Sequence, residues 1–247
     1  MFNTLRNIAL IPARSGSQRI PHKNIYKINN HPLIAYSIQS AINSKAFDEV
    51  VCITDSEEYA QIARKYGADV PKLRPKYTAK STSKDFDWII WILKFLKQQG
   101  RCFDTFSILR PTNPLRTEKT IIRAFKQFTQ ARVDIDSLRA IEETSQHPGK
   151  MWILNGELMD PLIKKKINGA YWHSNQTKVL PKFYVQNASL EISFTKNIFQ
   201  KNSISGERVA PFITQKYEGF DINYPEDLYI LDYILNNKLA TLPKIKH

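Results

Sequence analysis

Between residues 7 and 140 the chain alternates short strand-like apolar runs with longer amphipathic stretches, and this alternation narrows the fold more than any other feature. It is the signature of βα units stacked into a largely parallel sheet. "NIALIP" reads as the first strand, and "HPLIAYSIQSAINS" as a helix with Leu33, Ile34, Ile38, Ala41 and Ile42 on one stripe. "DEVVCITD" reads as a second buried strand. The helix after it carries Tyr59, Ile62, Ala63 and Tyr66, with Asp55 and Glu58 spaced as a capping box and Gly67 as its stop. "ADVPKLRP" reads as a third, shorter strand broken by proline. "DFDWIIWILKFLKQQG" reads as a helix capped by Asp87, leading to the strand "FDTFSILR", the turn "PTNPLRT" and a helix bearing Ile121, Ile122, Phe125 and Phe128. Tyr66, Trp88 and Trp91 are read as core. In open α/β sheets ligands bind beyond the carboxyl ends of the strands, so every strand-to-helix turn is a place to look for chemistry.

The pattern changes after about residue 140. Residues 144–186 are irregular, with prolines and two tryptophans, and read as an excursion from the main domain. "FYVQNASLEISF" then alternates like a strand, and "DINYPEDLYILDYIL" ends in a helix. There is no internal repeat and no low-complexity linker.

Several function classes fall away. The most apolar stretch, "WIIWILKFL", is far shorter than the roughly 20 residues a bilayer crossing demands. The start, "MFNTLRNIALIPARS", has an apolar run below the roughly 7 to 15 residues of a signal-peptide core, so export is not expected. Cys52 and Cys102 form no disulfide or metal-ligand spacing, which suits a reducing cytoplasm. A net charge of +13 suits nucleic acid, an anionic membrane surface or a small acidic substrate alike. No RNP, zinc-finger or basic-zipper pattern supports nucleic acid, and the runs "IKKKI" and "LPKIKH" read as solvated surface.

"PARSGSQRIPHKN" follows the first strand. Arg14, Arg19 and Lys23 supply charge, Gly16 with Ser15 and Ser17 lets backbone approach a ligand, and Pro21 stiffens the exit. A polyphosphate needs such a set: bidentate donors from arginine, a point charge from lysine and free backbone N–H groups in a concave turn. The spacing is neither a Walker loop nor a dinucleotide G-x-G-x-x-G turn. The other reading of these residues is a surface loop whose charges face water.

"IPARSGSQRIPHKN" resembles the N-terminal motif of the CMP-sialic acid synthetase family, the cytidylyltransferases that make CMP-activated nonulosonic acids. "FDEVVCITDSEEYAQIARKYGADVPKLRP", "LRPTNPLRT" and "DINYPEDL" resemble three further blocks of that family, in its order. The resemblance implies one cytidylyltransferase domain over residues 1–247, built as a three-layer α/β/α fold with a mixed, mostly parallel sheet. The 144–186 excursion would be a small protruding dimerisation element. It also implies transfer of CMP from CTP to a nine-carbon 2-keto sugar acid with Mg2+, in a homodimer; from the composition a cytoplasmic location is expected, with neither nucleic acid nor membrane as partner. By the same resemblance Ala13, Arg14, Ser17, Lys23 and Asn24 meet the CTP phosphates, Arg74 and Ser83 the cytosine and ribose, and Asp221 the metal. Arg14, Lys23 and Asp221 would be catalytic, and Arg110, Lys150, Asn187 and Glu191 would meet the sugar acid.

Departures from the family pattern stand beside these matches. Arg110 replaces a common Gln, Asn223 a second Asp, and Ala188 and Glu191 a Gly and an aromatic. Asn223 would ligate magnesium through its carbonyl or leave Asp221 alone, since that hard ion often needs only one or two protein carboxylates when phosphates supply the rest. Glu191 would accept from the sugar or point elsewhere. No general base stands out; His22 and His147 lie near the motifs without a defined role. The open alternatives are the same chemistry on legionaminate, pseudaminate or 3-deoxy-octulosonate, a binding protein that has lost catalysis, and a nucleic-acid binder.

Overall fold

The computed structural model describes residues 5–131 and 133–245. The first four residues of the segment read against export, and Lys246 and His247 of the basic "LPKIKH" run, lie outside that range.

The elements follow the alternation. β1 (Asn7–Pro12) leads through the short β2 (Lys27–Ile28) and β3 (His31–Pro32) into α1 (Leu33–Ser44). Then come β4 (Glu49–Ile53), α2 (Glu57–Lys65), α3 (Asp85–Gln98), β5 (Thr105–Ile108), α4 (Glu118–Thr129) and β6 (Ser137–Glu143). β7 (Trp152–Asn155), β8 (Leu158–Pro161), β9 (Lys166–Ile167) and β10 (Ala170–Tyr171) form two small ribbons. β11 (Tyr184–Phe194), α5 (Thr195–Lys201), β12 (Val209–Ile213) and α6 (Pro225–Asn236) complete the chain. The main sheet has the order β12-β6-β11-β5-β1-β4. β1 lies parallel to both β4 and β5, and β11 runs antiparallel to β5.

Side-chain alternation along the strands builds the layers, because successive residues of a strand face opposite sides. Ile8 and Leu10 of β1 join Trp88, Ile89, Ile92 and Leu96 of α3 in one core cluster. Ala9 and Ile11 join Ile34 and Ile38 of α1, Tyr59 and Ala63 of α2, and Ile121 and Phe125 of α4 in another. The sheet is therefore covered on both faces, and the fold is α/β with a mixed, mostly parallel sheet. Each fully buried large aliphatic side chain contributes about 1.5–3 kcal/mol.

A third cluster is the one that positions chemistry. It contains Ile20 from the loop after β1, Leu115 from the turn after β5, Ile222 from the segment before α6, and Leu231 and Ile234 of α6. Three polar loops far apart in sequence are each anchored by one apolar residue in the same small core.

Local details differ from expectation. α2 is capped by Ser56, whose hydroxyl accepts from the Tyr59 N–H at 3.4 Å, not by Asp55. Asp55 is occupied elsewhere: it accepts from the Ser15 N–H at 2.8 Å and from the Ser15 hydroxyl at 3.0 Å. Asp87 lies inside the first turn of α3, whose cap position is Lys84. "ADVPKLRP" forms no strand; its backbone makes one bridge, Asp69 to Val51, and then the Arg74 N–H donates to the Thr54 carbonyl at 2.7 Å. Pro71 and Pro75 punctuate that stretch, and proline lacks the N–H a strand ladder needs.

The chain divides into two compact units. One comprises the chain up to Ala140 and from Asn187 onward; the other is Ile141–Gln186. The second has its own small core of His147, Trp172 and Phe183 rings, with centroids 5.1–6.1 Å apart. His147 is structural there: its Nδ1 accepts from the Gly149 N–H, and its Nε2 lies 2.9 Å from the Pro181 carbonyl. In the "IKKKI" run, Lys165 and Lys166 lie over the rings of Trp172 and Tyr171, and Lys164 pairs with Asp160. The β7–β8 hairpin turns at Gly156, whose φ of 63° is the left-handed region glycine enters without penalty.

Candidate active site

A cavity of about 410 Å³ opens beyond the carboxyl ends of β1 and β5. β1 is the point from which the sheet continues to β4 on one side and β5 on the other, and such a switch point leaves a crevice between the outgoing loops. Three loops line it: the one after β1 (Arg14, Ser17, Gln18, Arg19, Lys23, Asn24), the turn after β5 (Arg110, Pro111, Thr112), and Asp221 with Asn223. Arg74, Lys80, Ser81, Ser83 and Asp85, between α2 and the start of α3, close a further side.

The loop after β1 is held by its own residues. The Ala13 N–H donates to the Ile53 carbonyl at 2.9 Å, Asp55 grips Ser15, and the buried Asn24 donates its amide to the Arg14 carbonyl at 2.9 Å. Gly16 has open space where a Cβ would stand, so its contribution is an unobstructed approach to the backbone. Lys23 donates to the Ile222 carbonyl at 2.8 Å, tying this loop to the segment before α6. Burial pulls the Lys23 ammonium below its ordinary value, with Arg19 and Arg14 adding to the shift and Asp221 opposing it.

Alternation sets the acidic side. With Ile222 buried in the third cluster, Asp221 and Asn223 both turn to the cavity. Asn223 donates its amide to Asp221 Oδ2 at 2.6 Å, and its carbonyl accepts from Arg19 at 3.4 Å. Asp221 Oδ1 is buried and has no hydrogen-bond partner. A buried acceptor is costly to leave unpaired, so an unpartnered carboxylate oxygen beside a cationic loop fits a bound cation. A single free carboxylate oxygen fits magnesium only as an ion that takes most of its oxygens from phosphates and water.

Arg74 is buried. It donates to the Thr78 hydroxyl at 3.1 Å and to the Thr78 carbonyl, and lies over the Trp88 ring at 5.5 Å. Burial pushes its guanidinium down to about 10, against the pull of Asp85 and Asp55. Ser83 donates to the Tyr77 carbonyl at 2.9 Å and accepts from the Lys80 N–H, shaping the loop before α3.

Arg110 is not an unpaired cation. Asp85 accepts from it at 2.6 Å, and Glu191 lies 3.6 Å away. Burial would lower the guanidinium, but Asp85 outweighs it and the net shift is upward; burial would likewise raise Asp85, yet Arg110 and the Trp88 indole hold it below the usual carboxylate range. Glu191 also accepts from Arg139 at 2.5 Å. Its carboxylate is therefore spent on two arginines, which explains an acid at this position.

The structure thus brings Arg14, Ser17, Lys23, Asn24, Arg74, Ser83, Arg110, Asp221 and Asn223 to one cavity. Ala13 supports the loop from beneath, fully buried. Asn187 lies on β11, where its amide donates to the Thr214 hydroxyl and its carbonyl accepts from the Ser189 N–H. Lys150 belongs to the second unit and donates to the carbonyls of His173 and Asn175. His22 meets the Tyr59 hydroxyl at 3.1 Å.

The sequence reading passed over Asp85, Lys80 and Arg116. Arg116 is 1% exposed, donating to the Ser37 hydroxyl at 2.7 Å, to the Ser189 carbonyl and, at 3.4 Å, to the Arg110 carbonyl. It fixes the turn that presents Arg110. The one signal for it was its place at the end of "LRPTNPLRT".

Comparison with known proteins adds to this geometry. The family model described as Cytidylyltransferase matches residues 8–140. Post-translational flagellin modification protein B of Campylobacter coli is 33% identical over 94% of this chain and 95% of its own length. The CMP-N,N'-diacetyllegionaminic acid synthase of Legionella pneumophila is 31% identical over 96% of this chain and 97% of its own. Among solved structures, a CMP:2-keto-3-deoxy-manno-octonic acid synthetase complexed with CTP superposes with a TM-score of 0.67 at 11% identity, covering 94% of this chain and 99% of that one; at that identity the likeness is one of fold.

Proposed function

The chain belongs to the cytidylyltransferase family, and on that premise we propose that it transfers CMP from CTP to the anomeric hydroxyl of a nonulosonic acid. The sugar oxygen bonds to the α-phosphorus, the bond from that phosphorus to the α–β bridging oxygen breaks, pyrophosphate leaves with the electron pair, and the hydroxyl proton is released to water. The observation that carries this reading is the gathering of Arg14, Arg19 and Lys23 opposite Asp221 at the carboxyl ends of β1 and β5.

The sugar acid, with its carboxylate, and the departing pyrophosphate are both anionic, so the protein's task is position and charge cancellation. Arg14 and Lys23 hold the β and γ phosphates and meet the charge that grows as pyrophosphate departs. Arg74 and Ser83 frame the nucleoside end. Asp221 and Asn223 serve the cation site; magnesium, when bound, supplies Lewis-acid neutralisation at phosphate oxygens. Arg110, Asn187 and Glu191 belong to the sugar-acid side, Glu191 acting through Arg110.

We place the enzyme in the cytoplasm, where two unpaired cysteines, one exposed, are stable. Among the described residues no helix is long and apolar enough to cross a membrane. We also propose a homodimer formed through the second unit, on whose hairpin Leu154 and Leu158 are 78% and 77% exposed. Light scattering tests that state.

The test of function is incubation with CTP, Mg2+ and a panel of sugar acids: N-acetylneuraminate, N,N'-diacetyllegionaminate, pseudaminate and 3-deoxy-octulosonate. Pyrophosphate release with one of the nine-carbon acids is expected. CTP binding without release for any acid would leave a binding protein, and release only with the eight-carbon acid would move the substrate class.

A further inference from the structure

Resting on the reading above, we infer that Asn223 is a positioning residue and not a cation ligand: it holds Asp221 by one oxygen, so that a single carboxylate oxygen is offered and the cation enters only together with the nucleotide's phosphates.

The arrangement of hydrogen bonds carries this. Asp221 has two oxygens, and Asn223 takes one of them, donating to Oδ2 at 2.6 Å. The other, Oδ1, is buried and unpartnered. An amide that donates through its nitrogen presents only its own carbonyl as a possible ligand, and Arg19 has that carbonyl at 3.4 Å. Arg19 is itself steadied over the Tyr224 ring at 4.8 Å. A guanidinium on the far side of a carbonyl repels a dication there. The order Arg19, Asn223, Asp221 is thus a relay that fixes which carboxylate oxygen remains free and keeps the amide out of the coordination shell.

Electrostatics supplies the second half. Asp221 and Asp85 line the same cavity as Arg14, Arg19, Lys23, Arg74, Lys80 and Arg110. Asp85 is already paired with Arg110, so one carboxylate faces several cations. A divalent ion arriving alone would gain one free anionic oxygen in a cavity where cationic side chains outnumber carboxylates. A hard ion of this kind wants six oxygens, and the phosphates are what can supply both ligands and the charge to reverse the sign of the cavity.

The experiment uses the intact protein, with Mn2+ as probe in equilibrium dialysis without nucleotide, and CTP affinity measured calorimetrically in Mg2+ and in chelator. Wild type should take up no Mn2+ in the absence of nucleotide and bind CTP more tightly with Mg2+. In Asn223→Ala the affinity in chelator should stay within about twofold, while the gain from Mg2+ falls about tenfold, the worth of one charge-assisted hydrogen bond. Stoichiometric Mn2+ binding by the nucleotide-free protein, or an undiminished Mg2+ gain in Asn223→Ala, would overturn the inference. Equal loss with and without Mg2+ would make Asn223 merely structural and overturn it too. Failure of the folded wild type to bind CTP under either condition would instead overturn the proposed function itself, and the inference with it.

Discussion

Arg116 offers a test in which two physical effects of opposite sign compete. Its guanidinium is buried with no carboxylate at hydrogen-bond distance among the described residues, and burial lowers its affinity for a proton, with Asp221 opposing. Desolvation alone would make an apolar replacement stabilising, as it often is for buried ion pairs. Against that stand its hydrogen bonds to Ser37, Ser189 and Arg110. After Arg116→Met, Ser37 and the Arg110 carbonyl can still satisfy one another, because the serine hydroxyl already donates to that carbonyl at 3.1 Å. The Ser189 carbonyl loses this donor in a buried setting, which costs about 2 kcal/mol. Arg116→Ala removes the apolar stem as well, at about 0.8 kcal/mol per buried methylene, for a total of about 4 kcal/mol. In a chain of this size 1 kcal/mol moves Tm by about 2–4 °C, so the expected losses are about 4–8 °C for Met and about 8–16 °C for Ala. Urea titration and thermal melting followed by circular dichroism measure both. A Met variant as stable as wild type, or more so, would refute the reasoning, since the hydrogen bonds would then not offset the charge's burial.

Arg14→Ala should lower kcat/KM for CTP by about 100-fold or more, because a bidentate cation aimed at transferring phosphates is among the largest single contributions; its melting temperature should stay near wild type, and unchanged pyrophosphate release would remove the phosphate assignment. Asp221→Asn should raise the Mg2+ concentration needed for half-maximal rate, and indifference to Mg2+ would move the cation site elsewhere. Lys23 has a folded pKa below its ordinary 10.5, so its charge is lost earlier than an exposed lysine's as pH rises. KM for CTP should accordingly climb on the alkaline side below pH 10.5, and Lys23→Arg should push that limb outward. The linkage sign is opposite for stability: between the lowered folded value and 10.5 the unfolded chain binds the extra proton, so this group's contribution to stability increases as affinity falls.

The fold was legible because β1 and β4 announce themselves by apolar content, and α1, α2 and α4 by periodicity. What escaped was decided by tertiary partners. Asp55 has the spacing of a cap, but Ser56 can cap α2 equally well, and the loop after β1 needs an acceptor for the Ser15 N–H. Glu191 looks anomalous along the chain because its reason, Arg139 and Arg110, lies on β6 and after β5. Asp85 and Arg116 were hard to read for the same cause: a charged residue at a helix start or in a proline-rich turn has no periodic signature, and only the assembled fold shows that one grips Arg110 and the other the turn that carries it.

The cations of the cavity are not interchangeable, and their partners sort them. Arg110 is neutralised by Asp85 and Glu191, so it acts as a fixed wall more than as an anion trap. Arg74 spends donors on Thr78, and Lys23 spends one on the Ile222 carbonyl. In contrast, no ion pair or side-chain hydrogen bond occupies Arg14 among the described residues; only its backbone carbonyl is used, by Asn24. A polyanion therefore meets one uncommitted guanidinium on a loop already immobilised by Asp55, Asn24 and Ile20, and the cost of ordering that loop falls on folding, not on binding. This is why the selectivity of the site should rest on where Arg14 and Lys23 stand, and why the surplus positive charge spread over the rest of the surface adds steering without choosing the ligand.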